Sequence, residues 1–291
     1  MNLQYDNYIF DLYGTLIDIH TEEHDPKLWN KMARYLKDNF EISIKGDGLY
    51  KEYTETYKQY VKELGKCVGS DHPEIRISWV WDDILWNHVC SPWADCKPGT
   101  EQKLKEKDII LAPRGRRRPH MFGIDKTEDI APKHIARLCA YFRESSWIHI
   151  SNYPKTLVTL KTLKANGKKI FLLSNAQRAF TYREIKKCRL EKYFDDIFIS
   201  SDKLIMKPEP RYLQKLIDDN KLEKSKCVMI GNEIRSDIAV AVNCGVRSIY
   251  LNTFGYDDSK IAQELENLGI NKKELFPEII DDGKIERILE L

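Results

Sequence analysis

The sequence predicts an α/β protein in which a parallel β-sheet, covered by helices on both faces, is interrupted by an inserted helical segment. Two observations predict this fold class. In the second half of the chain, short continuous apolar runs alternate with helical patterns, which is typical of parallel strands buried on both faces. One further strand-like run lies near residue 9, and a lone strand is stable only within a sheet. We therefore expect a Rossmann-like, doubly wound core that is split by the insertion.

One strand and a series of helices are predicted in the first half of the chain. Residues 8–10 form an apolar run that stops at Asp11, as a buried strand does at its end. Helical spacing of apolar residues begins near Thr21, which is the expected N-cap. Further helices are predicted over residues 51–64 and 75–89. No alternating strand pattern is visible from Thr21 to about residue 150.

Strands and helices alternate after residue 154. The strands are predicted at residues 169–173, 197–199, 228–230, 248–251 and 276–280. The helices are predicted at residues 155–166, 181–189, 211–220, 237–243 and 284–289. This change of pattern predicts a discontinuous core formed by residues 1–18 and 151–291, with an inserted helical domain at residues 19–150.

Charge and composition exclude several classes of partner. The 47 basic and 45 acidic residues give a net charge of +2, which provides no overall attraction to nucleic acid or to an anionic membrane. No apolar stretch approaches the length of a spanning helix, and the first ten residues lack a signal-peptide pattern. Seven cysteines without CxxC spacing disfavour disulfides and a zinc cage. We expect a cytoplasmic protein, monomeric or homodimeric.

Polar side chains follow several of the predicted strands. Asp11 follows the first strand, Ser174 and Asn175 follow another, and residues 231–233 (GNE) follow a third, while Lys207 lies in a loop after a fourth. Because ligands of such sheets bind at the carboxyl ends of the strands, these groups are expected to meet at one edge. A carboxylate nucleophile, oxygen ligands for Mg²⁺ and donors for phosphate oxygens are the groups that phosphoryl transfer needs.

In these segments the chain resembles the haloacid dehalogenase-like superfamily, whose four motifs occur here in family order. The resembling segments are residues 11–16 (DLYGTL), Ser174 with Asn175, Lys207 in a KPEP segment, and residues 231–237 (GNEIRSD). The resemblance covers the predicted α/β portions, and it implies that the helical insertion is a cap domain. Four motifs in order on predicted strand ends are far more specific than any one of them.

The resemblance implies roles for the polar residues of these motifs. Asp11 is expected to attack phosphorus and to form an aspartyl phosphate, with Lys207 holding the nucleophile and the transferring group by its charge. Ser174 is expected to bind a phosphoryl oxygen. Asn175 is expected to shape the loop that carries Ser174, and Thr15 to form a hydrogen bond near the nucleophile.

The resemblance also implies a Mg²⁺ ion. Its expected ligands are oxygen atoms of Asp11, of the Tyr13 backbone carbonyl and of Asp237, with Asn232 or Glu233 as a further ligand. An amide oxygen at Asn232 still binds magnesium but supplies no charge, and Glu233 beside it is able to restore the missing carboxylate.

Tyr13 departs from the pattern of the superfamily's phosphatases, which usually carry a second aspartate at that position. The aspartate protonates the leaving oxygen and then activates water. A phenol with a reference pKa of about 10 is a poor base near neutrality, whereas general acid–base help is worth about 10²–10⁴-fold.

Three functions therefore stay open. The favoured one is a magnesium-dependent phosphohydrolase that acts on a small phosphorylated metabolite. Tyr13 also resembles the Asp-x-Tyr-Gly-Thr segment of metal-independent 2-haloacid dehalogenases, but Ile234 stands where those enzymes place an asparagine. The third is a weakened, metabolite-binding relative, suggested by Tyr13 and Asn232.

Two features of the predicted insertion have no assigned chemistry. Trp79 and Trp86 are spaced two helical turns apart and are expected to pack the core of the insertion. Residues 114–118 (RGRRR) form a dense basic cluster, for which a solvated loop is favoured over recognition of a second anionic group on the substrate. The substrate itself is not identified by any motif in this region.

Overall fold

The computed structural model describes residues 3–89, 131–270 and 275–291. By its internal contacts the chain forms two compact units. The first contains Met1–His20, His149–Gln177 and Thr181–Leu291, and the second contains Thr21–Ile148 and Arg178–Phe180. The chain passes between the units at His20 and Thr21 and again at Ile148 and His149, whereas the domain boundaries expected from the sequence lie at residues 18 and 151. The basic cluster at residues 114–118 lies outside the described residues.

A six-stranded parallel sheet forms the centre of the first unit, in the order β5-β4-β1-β6-β7-β8. The strands are β1 (Asn7–Phe10), β4 (Lys169–Ser174), β5 (Asp196–Ile199), β6 (Cys227–Gly231), β7 (Arg247–Leu251) and β8 (Glu278–Ile280). The predicted α/β class with a Rossmann-like parallel sheet is confirmed. The strand nearest the start of the chain lies in the middle of the sheet, between β4 and β6.

Both faces of this sheet are buried, as the unbroken apolar runs predict. Tyr8 and Phe10 of β1 pack into one hydrophobic cluster, and Ile9 between them packs into another. The first cluster includes Leu160 and Leu163 from a helix, and the second includes Leu213. Helices therefore cover both faces of the sheet.

Among the described residues of the first unit, four α-helices and one 3₁₀ segment lie close to predicted helices, whereas Ser200–Lys203 and Asp258–Asn267 were not predicted. The α-helices are Thr156–Ala165, Arg178–Lys187 (whose first three residues group with the second unit), Ser200–Lys203, Pro210–Asp219, Ala239–Cys244 and Asp258–Asn267. Short 3₁₀ segments occur at Glu191–Tyr193, Lys224–Lys226 and Ile285–Leu289. The helix expected to start at Asp237 is preceded by a π-helical turn at Ile234–Ile238, so Asp237 lies inside that turn.

A second sheet was not predicted. It consists of two strands, β2 (Ile17–Thr21) and β3 (Trp147–Asn152), and the chain passes between the units within them. The expectation of no strand from Thr21 to residue 150 is therefore wrong at β3. Most residues of β2 and β3 are partly exposed, so neither strand shows the clean alternation of apolar and polar residues that marks a half-buried strand.

Four helices are described in the second unit, at Pro26–Phe40, Gly46–Val68, Ile77–Val89 and Lys133–Ser146. The first does not start at Thr21, which belongs to β2. Asp25 is its N-cap and accepts a hydrogen bond from the Lys27 backbone N–H at 2.8 Å, and Pro26 occupies the first turn. A capping acid followed by proline is a stronger start signal than a lone threonine. Within the described residues, no helix combines the length and apolar character that a membrane crossing needs.

Aromatic side chains form the core of the second unit. Trp81 is fully buried and contacts Trp29, Tyr53 and Phe142, with ring centroids 5.1–6.2 Å apart. Trp79 and Trp86, the residues expected to pack this core, are only half-buried. The buried face of their helix instead carries Val80, Trp81, Ile84 and Leu85.

Candidate active site

The strand register brings three of the predicted site residues to one edge of the sheet. Phe10 pairs with Leu172 of β4 on one side and with Ile230 of β6 on the other. Asp11, the next residue, therefore lies between the ends of the two strands that lead to Ser174 and Asn232. All three side chains are buried, with exposed fractions of 7% or less.

Lys207 connects the two buried carboxylates of this site. Its ammonium nitrogen Nζ lies 2.7 Å from Asp11 Oδ1 and 2.7 Å from Asp237 Oδ1, and it also donates to the Leu173 carbonyl at 2.8 Å. Three acceptors use all three of its protons. Lys207 is 2% exposed, so these charge-assisted bonds form away from bulk water. The ammonium is therefore fixed beside the proposed nucleophile.

The pKa values of Asp11 and Lys207 are both shifted in this cluster. Burial, reinforced by the nearby Asp237, raises the pKa of Asp11 to about 6, although Lys207 opposes the shift. Burial lowers the pKa of Lys207, but Asp11 and Asp237 more than offset this and raise it overall. With both carboxylates ionised, one ammonium leaves the cluster with one excess negative charge. A further cation at this site is favoured electrostatically.

Thr15 lies between Asp11 and Asn232. Its hydroxyl oxygen is 3.3 Å from Asp11 Oδ2 and 3.1 Å from Asn232 Oδ1, so its proton is able to bond either oxygen. Gly14, with φ of +83°, permits this close packing, because a Cβ there would lie 2.3 Å from the Asn232 amide nitrogen. The turn after β1 thus packs against Asn232 and bonds it close to Asp11.

Asp237 and Glu233 have different surroundings although both follow β6. Asp237 is 1% exposed, and its Oδ2 accepts a hydrogen bond from the Glu233 backbone N–H at 3.0 Å. Gly231 makes room for it, since a Cβ there would lie 2.2 Å from Asp237 Oδ2. The Glu233 side chain is exposed and caps the following turn through the Arg235 backbone N–H. The structure therefore brings Asp237, but not the Glu233 carboxylate, into the hydrogen-bonded cluster around Lys207.

Ser174 has a hydroxyl that no described residue satisfies. The side chain is fully buried, and its Oγ has no hydrogen-bond partner among the described residues. The backbone around it is firmly held, since Lys207 bonds the Leu173 carbonyl and the Tyr212 hydroxyl bonds the Ser174 carbonyl at 3.0 Å. A buried hydroxyl without a hydrogen bond destabilises the folded state. This hydroxyl lies at the sheet edge, where it is able to donate a hydrogen bond to an oxygen atom of a ligand.

Asn175 bonds the loop that carries Lys207. Its Nδ2 donates to the Lys207 carbonyl at 3.0 Å, and its Oδ1 accepts from the Lys207 backbone N–H at 2.8 Å. The side-chain amide therefore orients Lys207 and is engaged with protein atoms at both ends. Two residues that were not predicted, Ser200 and Tyr212, anchor the segment after β4 that carries Asn175. Tyr212 bonds the Ser174 carbonyl, and Ser200 bonds the Ala176 backbone.

Tyr13 has buried partners that the sequence did not reveal. Its phenol oxygen makes hydrogen bonds with the Glu184 carboxylate and, at 3.1 Å, with the Thr181 hydroxyl. Glu184 is fully buried. Glu184 lies in the middle of a helical sequence pattern, where a glutamate is usually on the surface. The unusual residue type at position 13 was therefore the only sequence feature that pointed to this contact.

The oxygen atoms around Asp11 fit a magnesium site. Mg²⁺ is usually held by one or two carboxylates, with water and substrate phosphate completing its shell. Asp11, the Asn232 amide and the buried Asp237 supply that kind of donor set, and the excess negative charge favours a cation. Across residues 3–89, 131–270 and 275–291, no group of three or more His, Cys, Asp or Glu side chains is placed to hold a metal. A site with a softer, all-protein ligand cage is therefore not indicated in this part of the chain.

Comparison with known proteins gives a family match across most of the chain. A family model described as "haloacid dehalogenase-like hydrolase" matches residues 5–245. Among solved structures, 2-haloacid dehalogenase from Pseudomonas syringae pv. Tomato DC3000 is similar with a TM-score of 0.55 and 16% identity, covering 98% of this chain and 97% of that one. At this identity the similarity concerns the fold alone.

The similar curated proteins are named as phosphatases. Phosphoglycolate phosphatase 1 from Pseudomonas aeruginosa is 32% identical over 127 residues, which cover 43% of this chain and 46% of the relative. Glyceraldehyde 3-phosphate phosphatase from Pyrococcus furiosus is 22% identical over 119 residues, covering 41% of this chain and 50% of the relative. The matches thus span about half the length of these curated relatives.

Proposed function

The chain belongs to the haloacid dehalogenase-like hydrolase family, and we propose that within it this protein is a magnesium-dependent phosphohydrolase acting through a phosphorylated Asp11. One observation carries the proposal: the buried Asp11 and Asp237 share a single ammonium, that of Lys207. The excess negative charge suits a site that binds a cation and a phosphoryl group. The phosphatase names of the similar curated proteins support the same reaction.

In the proposed first step, a carboxylate oxygen of Asp11 forms a bond to phosphorus while the bond from phosphorus to the leaving oxygen breaks. Thr15 orients the carboxylate, and Lys207 neutralises charge on the transferring group. The unpaired Ser174 hydroxyl donates to a phosphoryl oxygen. In the second step, water attacks the phosphorus and the bond from phosphorus to Asp11 breaks, which releases phosphate and restores the carboxylate.

Magnesium completes this proposal. Asp11, Asn232 and the Tyr13 carbonyl would hold the ion, with Asp237 as a ligand or as the residue that orients the shell. When bound, the ion neutralises charge that develops on the phosphoryl oxygens. Asp237 also fixes the Lys207 ammonium, so its carboxylate contributes even where it does not touch the ion.

The proposed substrate is a small phosphorylated metabolite, since the curated relatives are named as phosphatases of small phosphorylated compounds. The described cysteines are free thiols, which suits the reducing cytoplasm that we include in the proposal, and the protein acts there as a monomer or a homodimer.

The test is phosphate release from para-nitrophenyl phosphate by the purified protein, with Mg²⁺ and with a chelator. We expect activity that requires the metal and that is lost in Asp11→Asn, which keeps the size of the side chain but removes the nucleophile. Full activity in the chelator, or in Asp11→Asn, contradicts the proposal.

The same samples distinguish the two other candidate functions. A 2-haloacid dehalogenase releases halide from 2-chloropropionate in the presence of the chelator. The buried, apolar Ile234 disfavours this function, because it packs with Ile238 and Tyr250. A metabolite-binding protein without turnover releases neither product and fails to form a stable complex with magnesium and beryllofluoride.

A further inference from the structure

The hydroxyl of Tyr13 is already engaged inside the protein. A phenol carries one proton, and it lies between the Tyr13 oxygen and the Glu184 carboxylate. The second partner, the Thr181 hydroxyl, gives its own proton to the Gln177 carbonyl at 2.7 Å, so it accepts rather than donates toward Tyr13. Glu184 and Thr181 therefore compete for the same phenol proton.

The carboxylate is the stronger of the two acceptors. Hydrogen bonds to ionised groups are about twice as strong as those between neutral groups. Glu184 is fully buried, and a buried carboxylate that loses such a donor becomes costly. Turning the Tyr13 proton toward a substrate would remove that donor from Glu184. The arrangement thus holds the proton away from any leaving group.

Thr181 and Glu184 lie one turn apart on the helix Arg178–Lys187. That helix follows β4 and Ser174, whereas Tyr13 follows β1 and Asp11. The hydrogen bonds of Tyr13 thus join the two segments that carry the proposed nucleophile and the proposed phosphate-binding hydroxyl. Tyr13 has a structural role where the family's phosphatases usually carry an acid.

We propose that this protein acts on phosphate compounds whose leaving group departs without a proton, namely acyl phosphates and phosphoanhydrides. The inference rests on the proposed function, and it narrows the substrate to a chemical class. A carboxylate leaving group has a conjugate acid with a pKa of about 4, and a phosphate one of about 6, so either departs as an anion at neutral pH. An alcohol departs readily only when an acid protonates it.

The transfer of the phosphoryl group to Asp11 needs no proton donor with these substrates. The Asp11 oxygen forms its bond to phosphorus, and the electron pair of the breaking bond leaves with the carboxylate or phosphate. In the second step Tyr13 supplies no base, so the attack of water is slow and the proton of the water passes to solvent. Phosphorylated Asp11 is therefore expected to accumulate during turnover.

The experiment compares acetyl phosphate, pyrophosphate and glycerol phosphate as substrates of the wild-type protein with Mg²⁺, after subtraction of spontaneous hydrolysis. We expect kcat/KM for glycerol phosphate to be lower by about 10²–10⁴-fold than for the better of the other two, which is the usual worth of general acid–base catalysis. The arms with acetyl phosphate and pyrophosphate separate the two members of the class. Intact-protein mass spectrometry of acid-quenched samples measures the fraction of protein that is phosphorylated.

Two variants test the role of position 13. Tyr13→Phe removes the hydroxyl, and we expect the ratio of kcat/KM between acetyl phosphate and glycerol phosphate to stay within a few-fold of the wild-type ratio. Tyr13→Asp combined with Glu184→Gln introduces the family's usual acid without placing two carboxylates side by side. This double variant is expected to raise the relative rate on glycerol phosphate by about 10²–10⁴-fold and to remove the accumulated phosphoprotein.

The outcomes separate this inference from the proposed function. Equal kcat/KM values for all three substrates, or a selective loss of glycerol phosphate hydrolysis in Tyr13→Phe, overturn the inference alone. Absence of phosphate release and of protein phosphorylation with every substrate overturns both. Thermal melts establish that the variants are folded, and should the double variant not fold, the Tyr13→Phe ratio decides the question by itself.

Discussion

Thr15 bonds the carboxylate oxygen of Asp11 that Lys207 does not reach. Its hydroxyl reaches both Asp11 and Asn232, whereas Lys207 reaches the other oxygen of Asp11. Thr15→Val keeps the shape of the side chain and removes the hydroxyl. A hydrogen bond to a charged group contributes about 1.5–3 kcal/mol, so we expect kcat to fall about 10- to 100-fold.

Steady-state phosphate release measures this effect. Thr15→Ser, which retains the hydroxyl, serves as the matched control and is expected to keep most of the activity. An unchanged kcat in Thr15→Val would show that Lys207 alone orients Asp11.

The pKa of Asp11 predicts how magnesium binding depends on pH. Burial, with Asp237, raises this pKa to about 6, and a protonated carboxyl does not bind the ion. The apparent affinity for Mg²⁺ is therefore expected to fall about tenfold per pH unit below about pH 6. Isothermal titration calorimetry between pH 5 and pH 8 measures it, and Asp11→Asn should lose this dependence.

The same shift affects the stability of the metal-free protein. The folded pKa of Asp11 lies above the reference value of 3.8, so the folded state binds more protons than the unfolded state between these two values. The contribution of Asp11 to stability is complete below about pH 4 and is lost as the pH rises through about 6. Denaturant unfolding of the wild type and of Asp11→Asn at pH 4 and pH 7 tests this sign. A contribution that grows with pH contradicts it.

At the scale of the elements, an ion pair joins two helices of the second unit. His88 Nε2, on Ile77–Val89, lies 2.8 Å from Glu52 Oε2, on Gly46–Val68. The hydrogen bond to Glu52 raises the pKa of His88 against the effect of burial. The stabilisation is therefore complete below the unfolded pKa of about 6.5 and is lost as pH rises through the folded value.

Glu52→Gln is expected to lower the pKa of His88, and NMR titration of the imidazole protons measures the change. Because both side chains are partly exposed, the loss of stability below pH 6 should not exceed about 1 kcal/mol. Glu55→Gln, which alters the exposed neighbouring pair with Lys51, is the control and should leave His88 unchanged. A His88 pKa that stays constant in Glu52→Gln would contradict the assignment.

The elements of the core were predictable because burial on both faces imposes continuous apolar runs. Between their terminal residues, β4 and β6 contain only apolar side chains, so their positions follow from the sequence. β2 and β3 face solvent in part and contain histidine and asparagine, which removes the signal. The π-helical turn at Ile234–Ile238 also has no recognisable sequence pattern. It contains Asp237, whose side chain lies close to Gly231, and this contact is not visible from the residues of the turn alone.

At the scale of the whole molecule, the core of the second unit depends on Trp81. Because this side chain is fully buried among aromatic rings, Trp81→Ala is expected to destabilise the protein by about 3–5 kcal/mol. Trp79→Ala removes the same indole from a half-buried position and should cost clearly less. Chemical denaturation monitored by circular dichroism compares the two variants, and equal losses would contradict the assignment of Trp81 to the core.

The site was predictable to the extent that it is built from strand ends. Asp11, Ser174 and Asn232 follow β1, β4 and β6, and a parallel sheet necessarily aligns these ends. The partners of Tyr13 could not be predicted in this way, because Glu184 reaches Tyr13 from the side of a helix. Contacts of that kind depend on packing between distant segments, and a single helical pattern contains no record of them.

The central position of β1 has a consequence for how the chain folds during synthesis. Lys207 bonds Asp11 across 196 positions of sequence, and β1 pairs only with β4 and β6, which are translated much later. Contacts between such distant segments close long loops and form slowly. During synthesis the strand Asn7–Phe10 therefore has no sheet partner, and its apolar side chains stay exposed until the second half of the chain leaves the ribosome. We expect the delay between the synthesis of β1 and that of β4 and β6 to make expression dependent on chaperones. A circular permutant that begins within the insertion places β1 after β4 and β6 in the chain, so its expression should depend less on chaperones.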